Sequence, residues 1–307
     1  MSDFTSGFWE FYVGIITVVS ILACAVLLHT MSTRRVPGGT AQTTGHTWDE
    51  DLGEYNNPLP RWWIWLFYIT IVFGLIYLVL YPGLGSYPGS TKWTSRGQYE
   101  EEVKQASEQY GPLYDKYAAQ DLKQVAADPE ARAIGQKLFL NYCAQCHASD
   151  GGGSRGFPNL TDRDWLYGGE PETIQTTILN GRNGIMPAMG PVLGDEGTKD
   201  VAHYVLSLSG RTVDSIRAAR GREKFATICA ACHGPDGKGN QQIGAPNLTD
   251  QIWLHGSSEA SIIETIGKGR NSVMPAHKEF LGEAKVHILA AYVYSLSNPQ
   301  PAGVPAR

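Results

Sequence analysis

The feature that most constrains this chain is a duplication carrying two copies of Cys-x-x-Cys-His. Cys143-Ala-Gln-Cys146-His147 recurs as Cys229-Ala-Ala-Cys232-His233, preceded by Gly135-x-x-x-Phe139 and Gly221-x-x-x-Phe225, all at an offset of 86 residues. Beyond the motif the offset becomes 88. There Pro158-Asn-Leu-Thr-Asp162 matches Pro246-Asn-Leu-Thr-Asp250, Trp165-Leu166 matches Trp253-Leu254, and Gly181-Arg182-Asn183 matches Gly269-Arg270-Asn271. Met186-Pro187-Ala188 likewise matches Met274-Pro275-Ala276, and Tyr204-Val205 matches Tyr292-Val293. The two-residue difference falls in a Gly-rich loop after each motif, where insertions are tolerated. A repeat of this kind must be read before any single element.

Each repeat opens and closes on a helical pattern. Asp128-Pro129-Glu130 reads as N-cap, first helical residue and early acid, and the helix is expected to run to about Cys146. The closing segment, residues 197–208, is apolar at Val201, Tyr204, Val205 and Leu208, a helical spacing. In this reading Gly135 and Gly221 let the first helix of a repeat approach its last one near Tyr204 and Tyr292. No alternating strand pattern is evident, so the repeats are expected to be all-α.

Cys-x-x-Cys-His is the attachment signature of c-type haem: two thiols form thioethers with the vinyl groups, and the following His lies under the iron. A thioredoxin-like Cys-x-x-Cys would require a βαβ context, which the pattern lacks. A four-Cys zinc site would join pairs from separate repeats and leave His147 and His233 without a role. The expectation is two covalently bound haems c, on Cys143 and Cys146 and on Cys229 and Cys232. Each repeat offers one Met-Pro at the matching position, so His147 with Met186 and His233 with Met274 are the expected iron ligands. His/Met ligation raises the reduction potential. Met189 is the alternative to Met186, and His277 the alternative to Met274. His203, His255 and His287 are expected to be ordinary helix or loop residues. Pro158 and Pro246 are candidates for accepting the free N–H of each proximal His, and Arg182, Arg270, Trp165 and Trp253 for contacting haem propionates. Irons closed by two protein ligands leave no position for a substrate, which points to electron transfer with no catalytic site in the chain. A dihaem peroxidase would need one exchangeable ligand, against which the paired Met-Pro motifs speak.

Two apolar runs precede the repeats. Residues 11–30 and 62–81 carry no formally charged side chain, and a bilayer core requires about 20 such residues in a helix. Aromatic residues gather at their ends, among them Trp9, Trp62, Trp63, Trp65, Tyr77 and Tyr81, as interfacial belts do. Arg34, Arg35 and Arg61 lie in the connecting loop while no Lys or Arg precedes the first run. The positive-inside rule therefore places the loop in the cytoplasm and both ends of the chain outside, the compartment where haem c is attached. Asp3 and Glu10 are wrong for a cleaved signal peptide. Cys24, in the first run, reads as a packing or lipid-facing residue. The net charge of -5 argues against nucleic acid as a partner.

The expected organisation is then residues 1–31, N-terminus and first transmembrane helix; 32–61, cytoplasmic loop; and 62–82, second transmembrane helix. Residues 83–127 form a periplasmic linker with an amphipathic helix from about Thr94 or Ser95 to Tyr110. Residues 128–210 and 211–300 form two tandem class I cytochrome c domains, and 301–307 a tail. The expected location is a bacterial inner membrane, with the haem domains on the periplasmic side.

Glu54-Tyr-Asn-Asn-Pro-Leu-Pro-Arg-Trp-Trp63, Trp93-Thr-Ser95 with Gln98-Tyr-Glu100, and Trp165-Leu-Tyr-Gly-Gly169, together with the haem motifs, give a broader likeness. Over nearly its whole length the sequence resembles the dihaem subunit family (CcoP or FixP, subunit III) of the cbb3-type cytochrome c oxidases. The resemblance implies a non-catalytic electron-transfer subunit taking electrons from soluble cytochrome c or a similar donor. It implies two partners in the complex: a monohaem cytochrome c subunit and the haem–copper catalytic subunit where oxygen becomes water. The alternative is a free-standing membrane-anchored dihaem cytochrome serving another dehydrogenase or reductase. The segment from Pro58 to Trp63 separates the two by resemblance alone.

Overall fold

A computed structural model describes residues 6–32 and 42–299. Asp3, Arg34, Arg35 and the tail at 301–307 lie outside the described residues. The chain divides into two compact units, residues 1–108 and 109–307.

In the first unit α1 (Gly7–Ser32) and α2 (Arg61–Leu80) are long and apolar enough to cross a membrane. Their large side chains face outward; Phe73 is 66% exposed and Trp65 69%. A core helix of a soluble protein would bury such residues. Helix α2 begins at Arg61, directly after Pro60; Pro60 holds the residue before it, Leu59, toward extended backbone and out of the helix. Between the two helices lies an antiparallel hairpin, β1 (Thr43–Trp48) and β2 (Leu52–Tyr55), all of whose residues are exposed. The all-α expectation omits it. With no face to bury, it carries no apolar alternation to read.

Helix α3 (Ser95–Ala118) starts where the sequence suggests but continues past Pro112. In the second unit its last turn buries Tyr117, whose hydroxyl donates to Glu130 at 2.8 Å. Helix α4 (Leu122–Ala127) buries Leu122, Val125 and Ala126. Residues expected to be linker thus belong to a core. Helix α5 (Pro129–Tyr142) is capped as expected: Asp128 accepts from the N–H groups of Glu130 and Ala131 at 2.7 and 3.2 Å.

The remaining elements are α6 (Ala144–His147), α7 (Pro171–Asn180), β3 (Arg182–Met186), α8 (Gly190–Leu208), α9 (Ser215–Lys224) and a π-turn over Phe225–Cys229. They continue with α10 (Ala230–His233), α11 (Glu259–Lys268), β4 (Arg270–Met274), α12 (Lys278–Leu281) and α13 (Glu283–Ser297). The unit holds two hydrophobic cores. One gathers Val125, Phe139, Ile174, Ile178, Val286, Leu289 and Val293 from α4, α5, α7 and α13. The other gathers Val201, Val205, Leu206, Phe225, Ile262 and Ile266 from α8, α11 and the π-turn.

These cores do not follow the repeats. The closing helix of each repeat packs against the opening helix of the other, α13 on α5 and α8 on α9. Gly135 meets Tyr292 rather than Tyr204: a Cβ added there would lie 2.5 Å from the Tyr292 Cβ. Gly221 meets Tyr204 and Asp200, and its added Cβ would lie 2.0 Å from the Asp200 carbonyl oxygen. The aromatic pairs follow suit, Phe139 with Tyr292 at 5.6 Å and Tyr204 with Phe225 at 5.1 Å. The helix contact is as close as the glycines suggest, but the expected pairing within each repeat is corrected to one between repeats. Two repeats of matching pattern offer each closing helix two similar sites, the situation that permits domain exchange. The short connection between α8 and α9, residues 209–214, favours the antiparallel packing of those two neighbours.

The chain crosses between cores on an antiparallel ladder of β3 and β4, with Arg182 opposite Met274 and Met186 opposite Arg270. The duplication makes the junction symmetric: Met189 N–H donates to the Ile266 carbonyl at 2.9 Å, and His277 N–H to that of Ile178 at 3.0 Å.

Candidate haem-binding sites

Each Cys-x-x-Cys-His motif spans one helical turn, which brings both thiols and the imidazole to one side of the chain. His147 Nδ1 lies 2.9 Å from the Pro158 carbonyl oxygen, and His233 Nδ1 lies 3.2 Å from that of Pro246. A carbonyl only accepts, so Nδ1 carries the proton in each and Nε2 keeps its lone pair. Burial lowers the pKa of both imidazoles, opposed by these hydrogen bonds. The neutral form, the one that ligates a metal, is thereby favoured. The loop carbonyls expected from the sequence are the ones that orient the rings.

None of the four motif cysteines is paired in a disulfide: Cys143 and Cys229 are half-buried, Cys146 and Cys232 exposed. Burial, with Cys146 alongside, pushes the Cys143 thiol up to about 11, and burial raises that of Cys229 in the same way. Cys143 packs on the first core and Cys229 on the second, so the two pairs stand apart. A four-Cys zinc site would need both pairs together.

The methionines are distributed crosswise. Met274 packs on the core that holds Cys143, while Met186 and Met189 both pack on the core that holds Cys229. The expected pairs, His147 with Met186 and His233 with Met274, are therefore not the pairs the two cores bring together. The physical reason is the exchange of closing segments across β3 and β4.

The residues fit covalently attached haem c: paired cysteines outside any disulfide, an oriented neutral imidazole and a soft thioether in each core. Two buried polar atoms, Trp253 Nε1 and His277 Nδ1, have no partner among the described residues, and the indole N–H beside the second core suits a haem carboxylate as acceptor. Arg182 and Arg270 are already held, donating to Thr177 and Thr265 hydroxyls at 2.9 and 3.0 Å, and Arg182 also lies 4.6 Å from the centroid of the Tyr167 ring. His203 and His287 serve structural contacts, His203 with Glu259 at 3.4 Å and His287 with the Gln120 carbonyl at 3.0 Å.

The sequence gives Tyr167 no role of its own and reads His255 as an ordinary residue, yet the two occupy equivalent positions. An added Cβ on Gly244 would lie 2.3 Å from the Tyr167 ring, and one on Gly156 would lie 4.0 Å from His255. The Trp165-Leu-Tyr-Gly-Gly169 signature is the available signal, and its role in joining the two halves is visible only in three dimensions.

The sequence matches two known families. Residues 40–88 match the N-terminal domain of cytochrome oxidase-cbb3, FixP, and residues 130–205 and 217–293 match cytochrome c oxidase, cbb3-type, subunit III. The CcoP subunit of a cbb3-type cytochrome c oxidase from Rubrivivax gelatinosus is 53% identical over 298 residues, 97% of each chain. That of Rhodobacter capsulatus is 42% identical, covering 88% of this chain and all of the relative. The FixP subunit of Azorhizobium caulinodans is 42% identical over 85% of this chain and 95% of its own. The match at 40–88 includes the stretch from Pro58 to Trp63 that argues against a free-standing cytochrome.

Proposed function

Because this chain belongs to the CcoP/FixP family of cbb3-type cytochrome c oxidase subunits, we propose that it is the electron-entry arm of such an oxidase. It takes electrons from soluble cytochrome c or a similar donor and relays them through two haems c to a monohaem subunit. From there they reach the haem–copper catalytic subunit that reduces oxygen to water. The chain itself catalyses no bond chemistry.

The observation that carries this reading is the pairing, in each core, of an oriented Cys-x-x-Cys-His imidazole with a methionine. Haem c supplies one-electron chemistry when bound. Cys143 and Cys146, and Cys229 and Cys232, would hold it covalently. His147 and His233 would present Nε2 to the iron, with Pro158 and Pro246 fixing the ring planes. The methionines would supply the second protein ligand, leaving no position for water or substrate, and their thioethers would favour the reduced state and a raised potential. Rigid cores keep these ligands in place whichever charge the iron carries, which limits the reorganisation an electron transfer requires.

Helices α1 and α2 anchor the subunit in the membrane. Arg61 at the start of α2, with Arg34 and Arg35, supports a cytoplasmic connecting loop and a periplasmic second unit in a bacterial inner membrane.

Removing the chain after Gly83 is expected to abolish oxidation of cytochrome c by the complex. The catalytic subunit should still reduce oxygen when a small artificial donor feeds it directly. Purification of the intact chain without a haem–copper partner, with membranes lacking it oxidising cytochrome c through that oxidase at the normal rate, would refute the assignment.

A further inference from the structure

We propose that electrons pass between the two haems through reciprocal contacts of the proximal-histidine loops, and that Arg155 is a positioning residue for this step. The inference rests on the haem c reading above and deepens it, because it names the route inside the relay.

Each contact joins the loop that orients one histidine to the Trp-Leu segment beside the other core. The first loop is tied to His147 at both ends. Gly153 N–H donates to the His147 carbonyl at 2.8 Å, and His147 Nδ1–H donates to the Pro158 carbonyl at 2.9 Å. Between these ties, Gly156 N–H donates to the Leu254 carbonyl at 2.8 Å. Leu254 follows Trp253, which packs on the core of Cys229 and whose indole N–H is buried without a partner among the described residues. A continuous path therefore runs from Trp253 through the Leu254 carbonyl to Gly156, Phe157, the Pro158 carbonyl and the His147 ring. It crosses two hydrogen bonds and is otherwise covalent backbone. Electronic coupling decays slowly along bonds and hydrogen bonds and steeply across open gaps, which favours such a path over any jump through solvent.

The other loop mirrors it. Gly239 N–H donates to the His233 carbonyl at 2.8 Å, and His233 Nδ1–H donates to the Pro246 carbonyl at 3.2 Å. Between these ties, the Gln241 side-chain amide donates to the Trp165 carbonyl at 3.0 Å, and Trp165 packs on the core of Cys143. The Tyr167 ring closes against Gly244 of the same loop, as its 2.3 Å distance from an added Cβ requires.

Arg155 holds the first contact in place. Its guanidinium donates to the His255 carbonyl at 3.0 Å and to the Ser261 hydroxyl on α11 at 3.4 Å. These partners flank Leu254, the acceptor of the neighbouring Gly156 N–H, so one planar fork sets the spacing of the two loops. The side chain lies on the surface and belongs to neither hydrophobic core. Its removal therefore loosens the contact without opening a cavity. The step moves one electron: a ferrous iron becomes ferric as the other iron goes from ferric to ferrous, and no proton or bond is exchanged.

The test uses the full-length chain in mild detergent, with both haems verified by intact mass. Pulse radiolysis delivers substoichiometric electrons to the oxidised chain. Bimolecular reduction should be followed by a redistribution phase whose rate is independent of protein concentration. Chains bearing Cys143→Ala with Cys146→Ala, or Cys229→Ala with Cys232→Ala, should lack that phase, and their spectra assign each haem. Arg155→Ala should slow the phase severalfold while a redox titration returns both wild-type potentials. Arg155→Lys, which keeps a donor for the His255 carbonyl, should recover most of the rate. A wild-type chain without the phase, a phase that Arg155→Ala leaves unchanged, or a slowing accounted for by a shifted potential overturns the route. Absence of haem mass would instead overturn the haem c reading itself.

Discussion

Gly221→Ala is the most direct probe of the exchanged packing. The new Cβ would stand 2.0 Å from the Asp200 carbonyl oxygen and 2.9 Å from the Tyr204 Cβ, where ordinary contact begins at 3.4 Å. The first obstacle is backbone and cannot rotate aside, so α8 and α9 must separate by on the order of 1 Å, a gap that forfeits a quarter to a half of each close contact's dispersion energy. Overpacking of this kind costs up to about 3 kcal/mol. Alanine returns about 1 kcal/mol through its better helix propensity, leaving a net loss of about 2 kcal/mol. For a core of this size that corresponds to a drop of roughly 8–16 °C in Tm. The assay is thermal unfolding of the single-haem chain bearing Cys143→Ala and Cys146→Ala, followed by absorbance of the remaining haem. Tyr204→Ala, although its residue belongs to the first repeat, should lower the same transition, whereas Tyr292→Ala should lower that of the His147 haem in the converse chain bearing Cys229→Ala and Cys232→Ala. An unchanged midpoint for Gly221→Ala, or a Tyr204→Ala effect confined to the His147 haem, would refute the packing.

Denatured wild-type chain should retain two covalently bound haems by intact mass and haem-stained gel, and Cys229→Ala with Cys232→Ala should retain one; recovery of zinc in place of haem would refute the assignment. Asp200 is buried and accepts hydrogen bonds from Arg220 at 2.9 and 3.0 Å and from Arg217 at 3.3 Å, and chiefly the Arg220 bonds hold its carboxyl below the usual carboxylate range. Its stabilisation is therefore complete above about pH 4 and fades as pH falls through the lower native value. Asp200→Asn should lower stability at neutral pH by about 1–3 kcal/mol and narrow its difference from wild type in acid, measured by chemical denaturation across pH.

Much of this chain is legible in its amino-acid sequence. The thiol pairs and adjoining histidines are local chemistry, and spacing alone identifies them. Asp128 capping α5 and the apolar lengths of α1 and α2 are also local, because a cap or a membrane span depends on residues adjacent in sequence. Even the Pro158 and Pro246 carbonyls follow from the short loop between them and their histidines. The hairpin of β1 and β2 leaves no trace because it buries nothing, and Tyr117 lies beyond a proline that the helix nonetheless accommodates.

What only the tertiary structure decides is which half meets which. The duplication that makes both sites recognisable also makes them interchangeable: Tyr204 fits Gly221 as Tyr292 fits Gly135, and each Met-Pro fits either core. Local pattern is identical for the two arrangements, so it holds no information to separate them. The choice falls to long-range terms, the short connection between α8 and α9, the register of β3 on β4, and the approach of Gly181 and Gly269 to the opposite methionine backbone. Each of these exists only once residues distant in the chain are brought together.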